Sequence, residues 1–80
     1  MEVKVFGVEG CSSCDRLFRT LQHIAAELGN VQVDKENDLG VALTYGLRVP
    51  PGIAIDGELV VKGRFPDREE LWALLASRQI

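Results

Sequence analysis

Cys11-Ser12-Ser13-Cys14 is the stretch on which the reading of this chain turns. Its cysteines are the only 2 among 80 residues, and two small side chains separate them. They follow a strand-like run from Val3 to Val8 and a turn at Gly10, and they open a long amphipathic segment. That placement counts for more than the spacing. A helix start presents unpaired backbone N–H groups and the positive end of the macrodipole. A thiolate there is stabilised, so a cysteine can act as a nucleophile near neutral pH. Two cysteines three positions apart can also close a disulfide, and the stretch points to a dithiol redox site.

Upstream, Val3 and Val5 alternate with Glu2 and Lys4 and lead into Phe6 and Val8. This predicts a first strand, buried on both faces toward its end. Gly7 and Gly10 free the backbone to turn into the cysteine loop. Downstream, Leu17, Phe18, Leu21, Ile24, Ala25 and Leu28 recur at helical spacing on the face of Cys14, which predicts a helix over 12–28. Arg16, Arg19, His23 and Glu27 take the other side, so His23 reads as a solvated residue. Gly29-Asn30 stops the helix. Val31-Gln32-Val33-Asp34 alternates as a second strand. One helix between two strands implies parallel pairing through a right-handed crossover.

Asn37 or Asp38 can cap a short helix over 39–45, which Gly46 ends. Val49-Pro50-Pro51-Gly52 resists helix, because its prolines remove two backbone donors. Ile53-Ala54-Ile55 and Leu59-Val60-Val61 flank Asp56-Gly57, a strong hairpin signal, and read as antiparallel third and fourth strands. Gly63 ends the fourth. Pro66-Asp67 opens a last helix, with Asp67 as N-cap and Glu70 in the capping-box position. Leu71, Trp72, Leu74 and Leu75 are its expected buried face, and Trp72 and Tyr45 read as core or core-edge residues. The order is β-α-β-α-β-β-α in one domain over 1–80, with no repeat or linker.

Composition narrows the function. Hydrophobic residues make up 46% and charged residues 26%, a globular balance. The net charge is −3 with the signs mixed and no basic block, which argues against nucleic acid as a partner. No apolar run approaches the roughly 20 residues that span a bilayer. Met1 to Phe6 alternates and carries charge, unlike a secretory signal. The expectation is a cytoplasmic protein with no membrane contact. In that compartment a C-x-x-C serves catalysis or metal binding more often than it staples a fold. The metal-binding alternative is a soft-metal carrier that holds Cu(I) or zinc through the two thiolates. Structural zinc usually takes four protein ligands, and two cysteines with His23 fall short of that set.

Three stretches together carry a family resemblance. Cys11-Ser12-Ser13-Cys14 opens the first helix. Val49-Pro50-Pro51-Gly52-Ile53-Ala54-Ile55 leads into the third strand. Asp56-Gly57 and Gly63 bracket the fourth. In this order of elements they resemble the thioredoxin fold in its minimal, glutaredoxin-sized form, close to the small redox-active disulfide proteins of bacteria and archaea. The resemblance covers essentially the whole chain. It implies an α/β fold with a four-stranded mixed sheet flanked by three helices. It also implies a thiol–disulfide oxidoreductase that reduces protein disulfides or relays electrons from a thioredoxin-reductase-like donor. Such a protein would act as a monomer, with the Cys11–Cys14 disulfide in place of a cofactor and no metal.

Residue by residue, the resemblance makes Cys11 the exposed nucleophile and Cys14 the resolving cysteine. It makes Pro51 the cis-proline, with Pro50–Pro51 favoured over Val49–Pro50 as the cis bond. Gly10, Ser12, Ser13, Pro50 and Pro51 would lie along the bound substrate. The chain also departs from the pattern. Gly10 stands where thioredoxins carry tryptophan, the intervening pair is Ser-Ser, and the buried acid of the preceding strand has no counterpart. Glu9 and Asp15 oppose thiolate formation, while Arg16 and the helix end favour it. A mildly lowered Cys11 pKa and a low-potential reductant are the expectation. Gly63 and Asp67 echo the glutathione loop of glutaredoxins only loosely.

Overall fold

The structure, a computed structural model, describes residues 1–78; the last two positions of the expected 1–80 domain lie outside the described residues. Its elements are β1 (Glu2–Phe6), α1 (Ser12–Leu28), β2 (Gln32–Glu36), α2 (Leu39–Thr44), β3 (Gly52–Ile55), β4 (Glu58–Lys62) and α3 (Arg68–Ala76). The sheet runs β2-β1-β3-β4. β1 is parallel to β2 and antiparallel to β3, and β3 is antiparallel to β4. This is the expected mixed four-stranded sheet with three helices.

Period-two alternation sorts the strands onto two cores. Val3, Val5, Ile53, Ile55 and Val61 face Leu17, Leu21 and Ile24 of α1 and Leu71 and Leu75 of α3. On the other face Phe6 and Ala54 meet Ala42 and Leu47 beneath α2. Adjacent Val5 and Phe6 are both buried, so the end of β1 is covered on both faces as expected. Tyr45 closes the smaller core. Its ring lies 5.0 Å from that of Phe6, and Lys4 Nζ sits 5.7 Å from its centroid. Gly52 leaves room for Leu47, because a Cβ there would fall 2.5 Å from Leu47 Cδ2 and 3.1 Å from the Val61 carbonyl oxygen.

Several element limits differ from expectation for physical reasons. β1 stops at Phe6, and Val8 lies beyond it, exposed. β2 begins at Gln32 and continues to Glu36, because parallel pairing aligns Glu2 with Gln32 and Phe6 with Glu36. Trp72 lies outside the core, 38% exposed. Leu71 and Leu75, one helical turn apart, form the buried stripe of α3, and Trp72 falls about 100° around the helix from Leu71.

The turns follow their residues. Asp56 (φ 48°) and Gly57 (φ 88°) form the two-residue hairpin turn. Asp56 also ties that turn to β1, since its Oδ1 accepts from the Glu2 N–H at 2.8 Å. Asp38 caps α2 by accepting from the Gly40 N–H at 2.8 Å. Asp67 caps α3 by accepting from the Glu70 N–H at 2.8 Å.

The expected reciprocal half of that capping box is replaced by an ion pair. Glu70 Oε1 accepts from Arg64 Nη1 at 2.9 Å. The hydrogen bonds to Arg64 hold the Glu70 carboxyl below the usual carboxylate range, and the guanidinium moves up. A lowered carboxyl favours the fold at neutral pH, and that contribution is lost as the pH falls through the lowered value. At this exposed position it is small.

Candidate functional site

Cys11 is the N-cap of α1, with extended backbone at φ −87° and ψ 102°. Its Sγ accepts from the Cys14 N–H at 3.2 Å, the position a serine or aspartate oxygen takes in an ordinary cap. Its carbonyl accepts from the Asp15 N–H at 3.1 Å. Cys11 and Cys14 are joined by a disulfide, with Cα atoms 5.3 Å apart. The two sulfurs have unequal surroundings. Cys14 is 1% exposed because it heads the stripe that continues through Leu17, Leu21 and Ile24. Cys11, outside the helix as its cap, is partly exposed.

The end of β1 makes room for the buried cysteine. Gly10 takes φ 79°, the left-handed turn expected of it. Gly7 has a different role from the one expected: it supplies space rather than a turn. A Cβ on Gly7 would lie 3.0 Å from Cys14 Cβ and 3.3 Å from its Sγ. Gly7→Ala is therefore expected to push Cys14 out of place and to destabilise the protein by about 1–3 kcal/mol. Urea denaturation measures this, and an unchanged midpoint would mean that Cys14 does not depend on that space.

The proline loop meets the site at the same end of the sheet. Phe6 pairs with Gly52, so Pro51 stands one residue outside the pair that precedes Gly7. The Pro50–Pro51 bond is cis, as favoured. Pro51 is buried and Pro50 half-buried, while Gly10, Ser12 and Ser13 are exposed. The Pro51 carbonyl accepts from the Gly63 N–H at 2.7 Å, which ties the proline loop to the segment after β4. Val49 and Phe65 carry large apolar side chains that remain 65% and 51% exposed on these two segments.

Lys35, near the end of β2, forms an ion pair with Asp15, the residue after Cys14 in the first turn of α1. The signal was topological: a parallel crossover brings the last residues of β2 to the end of the sheet where α1 starts. Lys35 thus offsets the carboxylate that sequence alone set against a thiolate. Ser13, Arg16, Phe65 and Pro66 line a cavity of about 380 Å³ between α1 and the segment before α3. Among the described residues, no group of three or more His, Cys, Asp or Glu is placed to hold a metal ion. His23 lies exposed on α1, as expected. No described helix is long and apolar enough to cross a membrane.

The family profile described as thioredoxin domain matches residues 1–76. The chain belongs to the thioredoxin family. It is 32% identical over 77 residues to a thioredoxin of Methanothermobacter thermautotrophicus, covering 95% of this chain and 99% of that one. It is 29% identical over 70 residues to a thioredoxin of Methanocaldococcus jannaschii, covering 86% and 79%. A mutant thioredoxin from Halobacterium salinarum NRC-1 superposes with a TM-score of 0.73 at 28% identity, over 95% of this chain and 72% of that one. A structure described as that of a malarial protein shares the fold, with a TM-score of 0.74 at 16% identity over 99% and 97%. With thioredoxin membership and the Cys11–Cys14 disulfide together, this chain is a thiol–disulfide oxidoreductase.

Proposed function

We propose that this thioredoxin-family protein is a low-potential reductant of protein disulfides, with Cys11 as nucleophile and Cys14 as resolving thiol. The observation that carries the assignment is the unequal burial of the two sulfurs, partly exposed at Cys11 and 1% at Cys14. A partner's disulfide can reach only the first. In the reduced protein the Cys11 thiolate attacks one sulfur of the partner. The partner's S–S bond breaks, one of its thiolates leaves, and a mixed disulfide forms. Cys14 then loses its proton and attacks Cys11 Sγ, which expels the second partner thiolate. Two electrons have passed to the partner, which takes up two protons. The Cys11–Cys14 disulfide is the oxidised end of the cycle, and a reductase of the thioredoxin-reductase type resets it.

Local groups favour the Cys11 thiolate. The Cys14 N–H points at its sulfur, the helix start faces it, and Lys35 compensates Asp15. Docking of an extended chain is supported at Val49, whose backbone N–H and C=O make no hydrogen bond within the described residues. A bound chain would pair there beside Pro50 and Pro51 and cross Gly10, Ser12 and Ser13. Exposed Val8, Val49 and Phe65 would cover its apolar side chains. In this reading one domain acts as a cytoplasmic monomer and needs no group beyond its disulfide.

A redox titration of the cysteine pair, read by thiol alkylation and mass in metal-free buffer, tests the proposal. A two-electron transition within some tens of millivolts of about −270 mV is expected. A midpoint near about −120 mV would make the protein an oxidant instead. If no intramolecular disulfide forms at any potential, the redox reading fails, and Cu(I) and zinc binding become the next measurements.

A further inference from the structure

We infer that the cavity beside Ser13 selects among disulfide partners by taking a carboxylate side chain two or three residues from the partner's reactive cysteine. The inference rests on the reductant reading above and adds a preference to it. The cavity measures about 380 Å³ and begins at Ser13, inside the C-x-x-C. Leu17, Leu71, Phe65 and Pro66 supply an apolar lining. Phe65 is 51% exposed, so part of that lining has no cover in the free protein.

The charge at its rim is uneven. Of the two arginines in the lining, Arg68 pairs with Glu27. Arg16 lines the cavity, is exposed, and pairs with no carboxylate among the described residues. The acid in the lining, Asp67, already accepts from the Glu70 N–H as the cap of α3. An unpaired guanidinium above an apolar lining complements an aliphatic stem that ends in a carboxylate.

Reach sets the position of that residue. Arg16 stands five residues beyond Cys11, about 7.5 Å along the helix axis. Two to three residues of extended chain span about 7–10 Å. A glutamate that far from the attacked cysteine brings its carboxylate to Arg16 while the chain lies over Cys11.

Peptides of nine residues with a central cysteine, capped as the mixed disulfide with mercaptoethanol, provide the test. One series carries Glu two and three residues to either side of the cysteine, and its twin carries Gln. The reduced protein is mixed with each, and the single-turnover rate of its oxidation to the Cys11–Cys14 disulfide is followed. The Glu series is expected to react about threefold to fivefold faster, as an exposed ion pair allows, with the advantage shrinking at high salt. Arg16→Gln should bring the ratio to one, and Arg16→Glu should invert it. Because the readout is a ratio within one protein, a general change in Cys11 reactivity cancels. Equal rates for the two series in the wild type, or a preference that survives Arg16→Gln, overturn the inference. Hydroxyethyl disulfide, which is uncharged, separates the two failures: a wild type that reduces it but shows no Glu preference keeps the reductant reading and loses this one. A wild type that reduces neither loses both.

Discussion

Cys11→Ser is expected to abolish disulfide turnover, lowering the rate of insulin reduction by about a thousandfold or more, because a serine hydroxyl at a helix start is no substitute for a thiolate. Cys14→Ser should behave differently. Its Cys11 still attacks, the mixed disulfide forms, and nothing nearby resolves it. Mass spectrometry should find that adduct accumulating in Cys14→Ser and absent in Cys11→Ser. Cys14 is 1% exposed, so a buried hydroxyl could disturb the fold. Cys14→Ala, which buries no polar group, controls for that and should trap the same adduct. The distinction follows from geometry: one sulfur caps the helix at the surface, and the other heads its buried stripe. Wild-type turnover in both single variants would remove the mechanism, and adducts trapped by Cys11→Ser would reverse the two roles.

Leu21→Ala is expected to remove a large share of the protein's stability. Leu21 is 0% exposed and belongs to the core that α1, α3 and the sheet share. Truncating a leucine in such a place costs about 2–5 kcal/mol, the range reflecting how far the neighbours collapse. An 80-residue domain has about 4–12 kcal/mol in total at ordinary stability per residue. The variant should therefore lose a large share of its stability. At about 4–8 °C per kcal/mol, its Tm falls by more than about 8 °C. Thermal denaturation followed by circular dichroism, with the disulfide intact, measures this. A drop below about 4 °C would mean that α1 is not held mainly by this face.

The long helix, the hairpin and the proline loop were legible because each rests on local chemistry. Leu17, Leu21 and Ile24 mark a face by spacing, Asp56-Gly57 takes a turn that few residue pairs accept, and Pro50-Pro51 forbids helix. The cysteine pair was legible for the same reason, as its place at a helix start is a local fact. What escaped the sequence depends on approach between distant segments. The space at Gly7 exists for Cys14, seven residues on, and no propensity records it. The Lys35–Asp15 pair needs the register of β1 on β2. Trp72 was placed on the buried face because Leu71-Trp72-Ala73-Leu74-Leu75 is apolar throughout, and only the packing of α3 on α1, which takes Leu71 and Leu75, leaves it exposed.

The placement of the two cysteines also bears on damage by peroxide. An exposed thiolate is the sulfur that a peroxide oxidises first, to a sulfenic acid, and further oxidation of a lone cysteine becomes irreversible. Here Cys14 lies within bonding distance of Cys11 and is itself shielded from the oxidant. Its thiol can condense with the sulfenic acid, releasing water and returning the same Cys11–Cys14 disulfide that catalysis produces. Oxidative injury at this site then converges on an ordinary state of the working cycle, and the reductant that resets the cycle also repairs it.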